Sequence, residues 1–161
     1  MPRTQKNKLV LGVISDTHGP LTGEAAAALE GVDYIVHAGD VVDPGAVLTL
    51  RHIAPTTAVL GNMDGYEVNK ELNLSRTAVV ELGGVFLYVL HDLSHIDIDP
   101  RVAGFAAIIH GHLHRPEIEW KDGVLYLNPG SAGPARSSRK PSVAHLTIED
   151  GRLTPKIILL D

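Results

Sequence analysis

The chain has no cysteine, and among its 161 residues only two are phenylalanine and one is tryptophan. The missing cysteine excludes a disulfide framework, a thiolate zinc site, a cysteine-held iron–sulfur cluster and a cysteine nucleophile. Long apolar runs are missing too: none approaches the ~20 residues that span a bilayer. The run from Leu9 to Ile14 is too short for a secretory signal core and soon meets Asp16, so a soluble, cytoplasmic protein with no membrane partner is expected. Positive charge is scarce, with 14 Lys and Arg against 19 Asp and Glu. That balance argues against an extended nucleic-acid surface, though not against a small phosphorylated substrate. The basic residues that do gather are Arg3, Lys6 and Lys8, which read as a solvated tail, and Arg136, Arg139 and Lys140. This second group is either solvated loop charge or a cationic lip for phosphate. What the chain has in abundance is histidine, nine in all. Any metal it holds must therefore take imidazole and oxygen ligands.

A length of 161 residues suits one ordinary domain, so residues 1–161 are expected to form a single unit. The apolar segments are short and β-branched: Leu9 to Ile14, Tyr34 to Val36, Thr57 to Leu60, Val85 to Leu90 and Phe105 to Ile109. They are nearly continuous rather than alternating, the pattern of strands covered on both faces. Thr22 and Asp43 are placed as N-caps of two helices, the first running to Leu29 before Gly31, the second starting at Pro44 and reaching about His52. Strands alternating with helices imply right-handed crossovers and a largely parallel sheet. Later, Ile118 to Leu127 around Lys121-Asp122-Gly123, and Ser142 to Leu160 around Asp150-Gly151, read as hairpins. The expectation is two packed sheets with helices outside, with Gly133 to Pro141 as a loop.

The polar residues stand where these strands end. The first run leads to Asp16-Thr17-His18, the second to Gly39-Asp40, the third to Gly61-Asn62, the fourth to His91 and the fifth to Gly111-His112-Leu113-His114. In an open α/β sheet the carboxyl ends of parallel strands share the edge where ligands bind. Gly39, Gly61 and Gly111 suit tight turns that bring backbone and side chain close together. The imidazoles of His18, His91, His112 and His114, the carboxylates of Asp16 and Asp40 and the amide of Asn62 are too many donors for one four-coordinate ion. They suit two divalent ions sharing a carboxylate, with open positions for water and substrate. Two such cations carry more charge than Asp16 and Asp40 cancel, and an anionic phosphate ester is the natural guest.

This order of motifs, closed by Asn128-Pro129-Gly130-Ser131, resembles the calcineurin-like metallophosphoesterase family and, in its short length, the small bacterial phosphodiesterase branch. The resemblance implies a four-layer α/β/β/α sandwich of two mixed sheets with flanking helices. It implies that Asp16, His18, Asp40 and His114 hold one metal and that Asp40, Asn62, His91 and His112 hold the other, Asp40 bridging. It further implies a dinuclear phosphoesterase, expected to act on diesters, in which a hydroxide bridging the ions attacks phosphorus in line with the leaving group. Asp40, Asn62 and His91 are the residues placed in catalysis. Manganese is the first expectation, with iron, zinc, cobalt or nickel as alternatives.

The chain departs from that pattern twice. Many family members carry a histidine where this chain has Met63, which has no proton to give a leaving oxygen. His91 is followed by Asp92 where glycine is common, and this carboxylate either orients His91 or repels anionic substrate. Asp64 reads as a carboxylate that fixes the turn from Gly61 or supports a ligand histidine. His37 and His110 read as packed imidazoles, His52 and His145 as structural or surface residues, and His95 as a surface residue within sequence reach of substrate. Asn128 to Ser131 is first a turn bordering the site. The alternatives are a catalytically weak protein-binding scaffold on the same fold, resembling the retromer subunit of that architecture, and a phosphomonoesterase. Expected partners are a small phosphate ester and, left open, further copies of the chain.

Overall fold

The computed structural model describes residues 7–134 and 139–160. The chain opens with β1 (Lys8–Ile14), α1 (Gly23–Ala28), β2 (Tyr34–His37), α2 (Pro44–Ile53) and β3 (Thr56–Ala58). After α3 (Tyr66–Leu72) come β4 (Thr77–Leu82) and β5 (Val85–Leu90), then a 3-10 turn at Leu93–His95 and α4 (Pro100–Ala103). The remainder is β6 (Ala107–Ile109), β7 (Pro116–Lys121), β8 (Val124–Pro129), β9 (Ser142–Glu149) and β10 (Arg152–Leu159).

Two five-stranded sheets result, ordered β10-β9-β1-β2-β3 and β4-β5-β6-β8-β7. Both are mixed: β1, β2 and β3 run parallel and β5, β6 and β8 run parallel, while the hairpin strands at the edges are antiparallel. The continuous apolar runs follow from this arrangement. Leu11 and Val13 of β1 face the other sheet, meeting Leu87, Val89, Ile109 and Leu127, whereas Val10 and Ile14 pack with Ala25, Leu29 and Leu50 of the helices. On the far side Tyr88, Leu90 and Ile108 are covered by Leu93, Ile96 and Phe105. The layers are therefore α/β/β/α, as the sequence leads one to expect. Each fully buried Leu or Ile in them contributes about 1.5–3 kcal/mol through its removal from water.

The expected caps form, with Thr22 Oγ1 accepting from Ala25 N at 3.2 Å and Asp43 Oδ1 from Gly45 N at 2.9 Å. Two strands are shorter than their apolar runs. Val59 and Leu60 leave β3 by bridging and bonding to Ser75, and the Phe105 ring packs against Tyr88, tilted by 59° with centroids 5.2 Å apart. The hairpin of β4 and β5 was not expected, although Gly83-Gly84 between them is a turn signal. Both glycines take positive φ, 62° and 81°, the pair that a tight two-residue hairpin turn demands. The short helices α3 and α4 were also not anticipated from periodicity, having too few turns to show one.

Candidate metal centre

Asp16 and His18 follow β1, Asp40 follows β2, Asn62 follows β3, His91 follows β5, and His112 and His114 follow β6. Both sheets thus deliver the carboxyl ends of their parallel strands to one edge. The loops are lashed together there: Asp16 N donates to Gly39 O at 2.9 Å, His18 N to Asp40 O at 3.1 Å, and Gly111 N to His91 O at 3.0 Å. Close approach is what Gly61 is for, since a Cβ at that position would collide with the carboxylate and backbone nitrogen of Asp40. A Cβ at Gly39 or Gly111 would collide in the same way with His91 or with Ser15 and Asp16.

Asp16, His18, Asp40, His112 and His114 all have φ between 50° and 74°, in the left-handed region that non-glycine residues rarely occupy. Such strain costs on the order of 1–3 kcal/mol per residue and persists where surrounding structure over-determines it. Here it aims side chains at one point. One ligand atom from each of Asp16, His18, Asp40 and His114 lies within 4.8 Å of all the others. His18 Nε2 is 3.2 Å from His114 Nε2, and the two lie 3.6 Å and 3.3 Å from Asp16 Oδ1.

Beside this cluster stands a second group. His91 Nε2 lies 3.3 Å from Asp40 Oδ2 and 2.9 Å from Asn62 Oδ1, and His112 Nδ1 lies 3.1 Å from the same Asn62 oxygen. Asp40 Oδ2 is shared, because it is also 3.5 Å from His18 Nε2. Its other oxygen accepts from Met63 N at 2.8 Å, which fixes the carboxylate plane. Asp16 divides its oxygens similarly. Oδ2 accepts from Ser15 Oγ at 2.8 Å and His112 N at 3.1 Å, while Oδ1 is fully buried with no hydrogen-bond partner among the described residues. A buried carboxylate oxygen without a partner, facing imidazole nitrogens, is what a cation-binding site presents.

Burial pushes the Asp16 carboxyl above its ordinary value, more than the nearby imidazoles pull it down. Burial acts on Asp40 in the same sense, but the hydrogen bonds from His91 and the Met63 amide outweigh it and hold this carboxyl low. For His91, burial favours the neutral ring, yet the Asp40 hydrogen bond and the Asp16 charge prevail and raise its pKa. Two carboxylates thus draw positive charge to this edge. The Nδ1–H of His91 donates to Ala38 O at 2.7 Å and leaves Nε2 for the cluster.

Asp64 is a brace for the turns around the site. Its Oδ2 accepts from Gly61 N at 2.8 Å and Val41 N at 3.2 Å, and its Oδ1 from Val42 N at 2.7 Å. Asp92 does not hold the His91 ring, whose Nδ1 is taken by Ala38 O; its Oδ2 faces His95 and His112 instead, each at 3.8 Å. His37 is buried, accepting from Gly39 N at Nδ1 and donating from Nε2 to Thr17 Oγ1, and burial lowers its pKa to about 3. His110 is buried as well, His52 is exposed, and His145 donates to Ala28 O. Asn128 donates to Gly111 O at 3.0 Å and Ser131 Oγ to Asp16 O at 3.0 Å, so this turn supports the loops around the cluster. Arg139 and Lys140 are exposed, while Arg3, Lys6 and Arg136 lie outside the described residues. Two contributors had no sequence signal that marked them: the Ala38 carbonyl, because every residue has one, and Ser15, because a serine after a strand is commonplace.

Residues 9–151 match the family model of the calcineurin-like phosphoesterase superfamily domain. The chain belongs to this family. A probable metallophosphoesterase of Methanocaldococcus jannaschii is 32% identical over 95% of this chain and 82% of its own length. An archaeal phosphodiesterase of known structure superposes with a TM-score of 0.74 at 22% identity, covering 94% of this chain and 100% of that one. Vps29 of Entamoeba histolytica, solved with zinc, superposes at 0.68 and 22% identity, over 94% and 99%. At those identities the two structures speak for the calcineurin-like fold alone. Membership of the family makes the chain a phosphoester hydrolase by kind, and its His/Asp cluster fits divalent metal. Among the described residues no helix is long and apolar enough to cross a membrane.

Proposed function

We propose that the chain hydrolyses phosphate diesters with two divalent metal ions, Asp16, His18, Asp40 and His114 holding one and Asp40, Asn62, His91 and His112 the other. The observation that carries this reading is the shared oxygen of Asp40, 3.5 Å from His18 Nε2 and 3.3 Å from His91 Nε2. The residues fit the ions, since Asp16 Oδ1 is buried with no hydrogen-bond partner among the described residues and the imidazole Nε2 atoms converge on it. When bound, divalent ions supply an activated water at neutral pH and neutralise charge on the phosphoryl oxygens. Mixed imidazole, carboxylate and amide donors suit manganese, iron or zinc without selecting sharply among them.

The protein's own groups do the rest. Asp40 fixes the spacing of the two sites, held in plane by the Met63 amide. Ala38 O keeps His91 in the tautomer that offers Nε2, and Asn62 turns its oxygen toward both His91 and His112. The strained backbone at Asp16, His18, Asp40, His112 and His114 prepays the cost of orienting these donors. Diester preference is supported by the resemblance to small phosphodiesterases and by the fold shared with the archaeal phosphodiesterase.

The deciding experiment is a panel of aryl phosphodiesters, monoesters, cyclic nucleotides and dinucleotides, each with manganese, zinc, iron, cobalt or nickel and with chelator, alongside metal content per chain. Metal-dependent turnover of diesters above monoesters, at two ions per chain, is the expected result. Full turnover under chelation would sink the mechanism, and no turnover with any ester would leave a scaffold on the same fold.

A further inference from the structure

A cavity of ≈ 210 Å³ opens on one side of the candidate centre, bordered by Asn62, His91 and Asp92 and then by Arg76, His95 and Asp97. Leu60 and Leu90 give it an apolar wall. With a water occupying ~30 Å³, its volume equals about seven waters, room for one ring or a short alcohol. It touches the Asn62 and His91 side of the site, away from the pair His18 and His114.

A leaving alkoxide on that side needs a proton, and Met63, 60% exposed, has none to give. The cavity's ionisable side chains outside the proposed ligands are the guanidinium of Arg76, the carboxyl groups of Asp92 and Asp97 and the imidazole of His95. His95 alone is of the residue type that both gives and regains a proton near neutrality. Its position is built. Asp92 Oδ1 caps the 3-10 turn that carries His95, accepting from Ser94 N at 3.0 Å and Ser94 Oγ at 2.7 Å. The other oxygen of Asp92 faces His95 Nε2 and His112 Nε2, each at 3.8 Å, so one carboxylate lies between the exposed imidazole and the proposed ligand set, within ion-pair reach of both.

Resting on the hydrolase reading above, we propose that this cavity receives the leaving alcohol of the ester, and that His95, oriented by Asp92, gives its proton to the departing oxygen. The bond between phosphorus and that oxygen breaks with its electron pair on oxygen, and the imidazolium proton is transferred there. A water oxygen bonds to phosphorus and its proton goes to solvent, which also returns one to the imidazole. Nothing is oxidised or reduced. The substrate class is a diester whose leaving alcohol is small, with an apolar face for Leu60 and Leu90 and polar or anionic substituents for Arg76.

The test compares wild type, H95N and H95Q, loaded with manganese, on p-nitrophenyl methyl phosphate and phenyl methyl phosphate. A general acid contributes ~10²–10⁴-fold and matters most for the poorer leaving group. Expected is a kcat loss of about 100-fold or more on the phenyl ester and less than ten-fold on the nitrophenyl ester, with unchanged metal content. Equal losses on both esters, or none on the phenyl ester, would overturn the acid role. Separately, phenol titrated into the metal-free and the zinc-loaded protein should shift the backbone amide NMR signals of Arg76, Thr77 and Ser94. Signals unmoved there would overturn the assignment of the cavity. Wild type inactive on both esters with every metal defeats the hydrolase reading instead, and the phenol titration still reports on the cavity.

Discussion

Asp40 Oδ2 lies 3.3 Å from His91 Nε2, joining a carboxylate that follows a strand of one sheet to an imidazole that follows a strand of the other. Neither residue has a neighbour in sequence that could make this contact. The packing of the two sheets makes it, and several consequences can be measured.

Asp40→Asn weakens both proposed sites at once. Outer residues that merely support metal ligands cost ~10–100-fold when lost, and a bridging carboxylate must cost at least that. Expected are a fall in kcat of more than 100-fold and fewer than two ions per chain by elemental analysis. Near-normal turnover would refute the bridging role.

Asp64→Ala leaves the amides of Gly61, Val41 and Val42 without their acceptor. Gly61 and Val41 are buried, whereas Val42 is 40% exposed and its amide can turn to water. A buried donor left unsatisfied costs about 1–3 kcal/mol, so the metal-free variant should melt several degrees below wild type. An unchanged melting temperature would remove Asp64 from the framework.

Gly61→Ala places a methyl against the Asp40 carboxylate. Overpacking of this kind costs about 1–3 kcal/mol, and here the displaced group is a proposed metal ligand. Weakened metal binding by calorimetry should accompany the lost stability; tight binding with wild-type stoichiometry would contradict the close approach.

Acid should destabilise the metal-free protein before ordinary carboxylates titrate. Burial lowers His37 from 6.5 to about 3 and His110 from 6.5 to about 4. As pH falls through 6.5, the unfolded chain takes up these protons and the folded chain does not. Stability is therefore full above 6.5 and declines toward pH 4, by at most ~1.4 kcal/mol per pH unit for each group. His91 acts oppositely, because its raised pKa favours the folded state at low pH and that contribution fades as pH rises. Urea unfolding across pH 4–7 should show a shallower decline in His37→Asn than in wild type; identical slopes would exclude His37 as a cause.

Divalent metal should raise the melting temperature, since only the folded chain assembles the cluster of Asp16, His18, Asp40 and His114. At 100 times the dissociation constant the gain is about 2.7 kcal/mol, roughly 5–10 °C for a chain of this size. Chelator should reverse it, and Asp16→Asn should abolish most of it. A melting temperature indifferent to metal would mean that the cluster binds none.

Much of the site is legible in the residues because its geometry depends on strand ends. An apolar run followed by Gly-Asp or Gly-His states locally that a strand stops and a polar group follows. The order of those motifs also carries the family resemblance. Hairpins at Asp122-Gly123 and Asp150-Gly151 are legible for the same local reason. Less so are α3 and α4, which are too short to show a period, and the start of β6, before which Phe105 packs its tilted ring against Tyr88. Asp92 is the clearest case of a role that adjacency leaves open. It neighbours His91 in the chain, but the His91 ring is held by Ala38 O, just past β2 of the other sheet, and Asp92 turns toward His95 and His112.

A chain without cysteine and with nine histidines is bound by composition alone to nitrogen and oxygen metal chemistry, and its strand-end motifs name the donors. Which donors share an ion is a tertiary matter. The registry of one sheet against the other sets Asp40 between His18 and His91, leaves Asp16 Oδ1 with no hydrogen-bond partner among the described residues and opens the cavity where His95 stands. Sequence can specify which groups reach an edge because backbone periodicity is local. Distances between groups on different strands depend on how two surfaces pack, and that is decided only when the core between them closes.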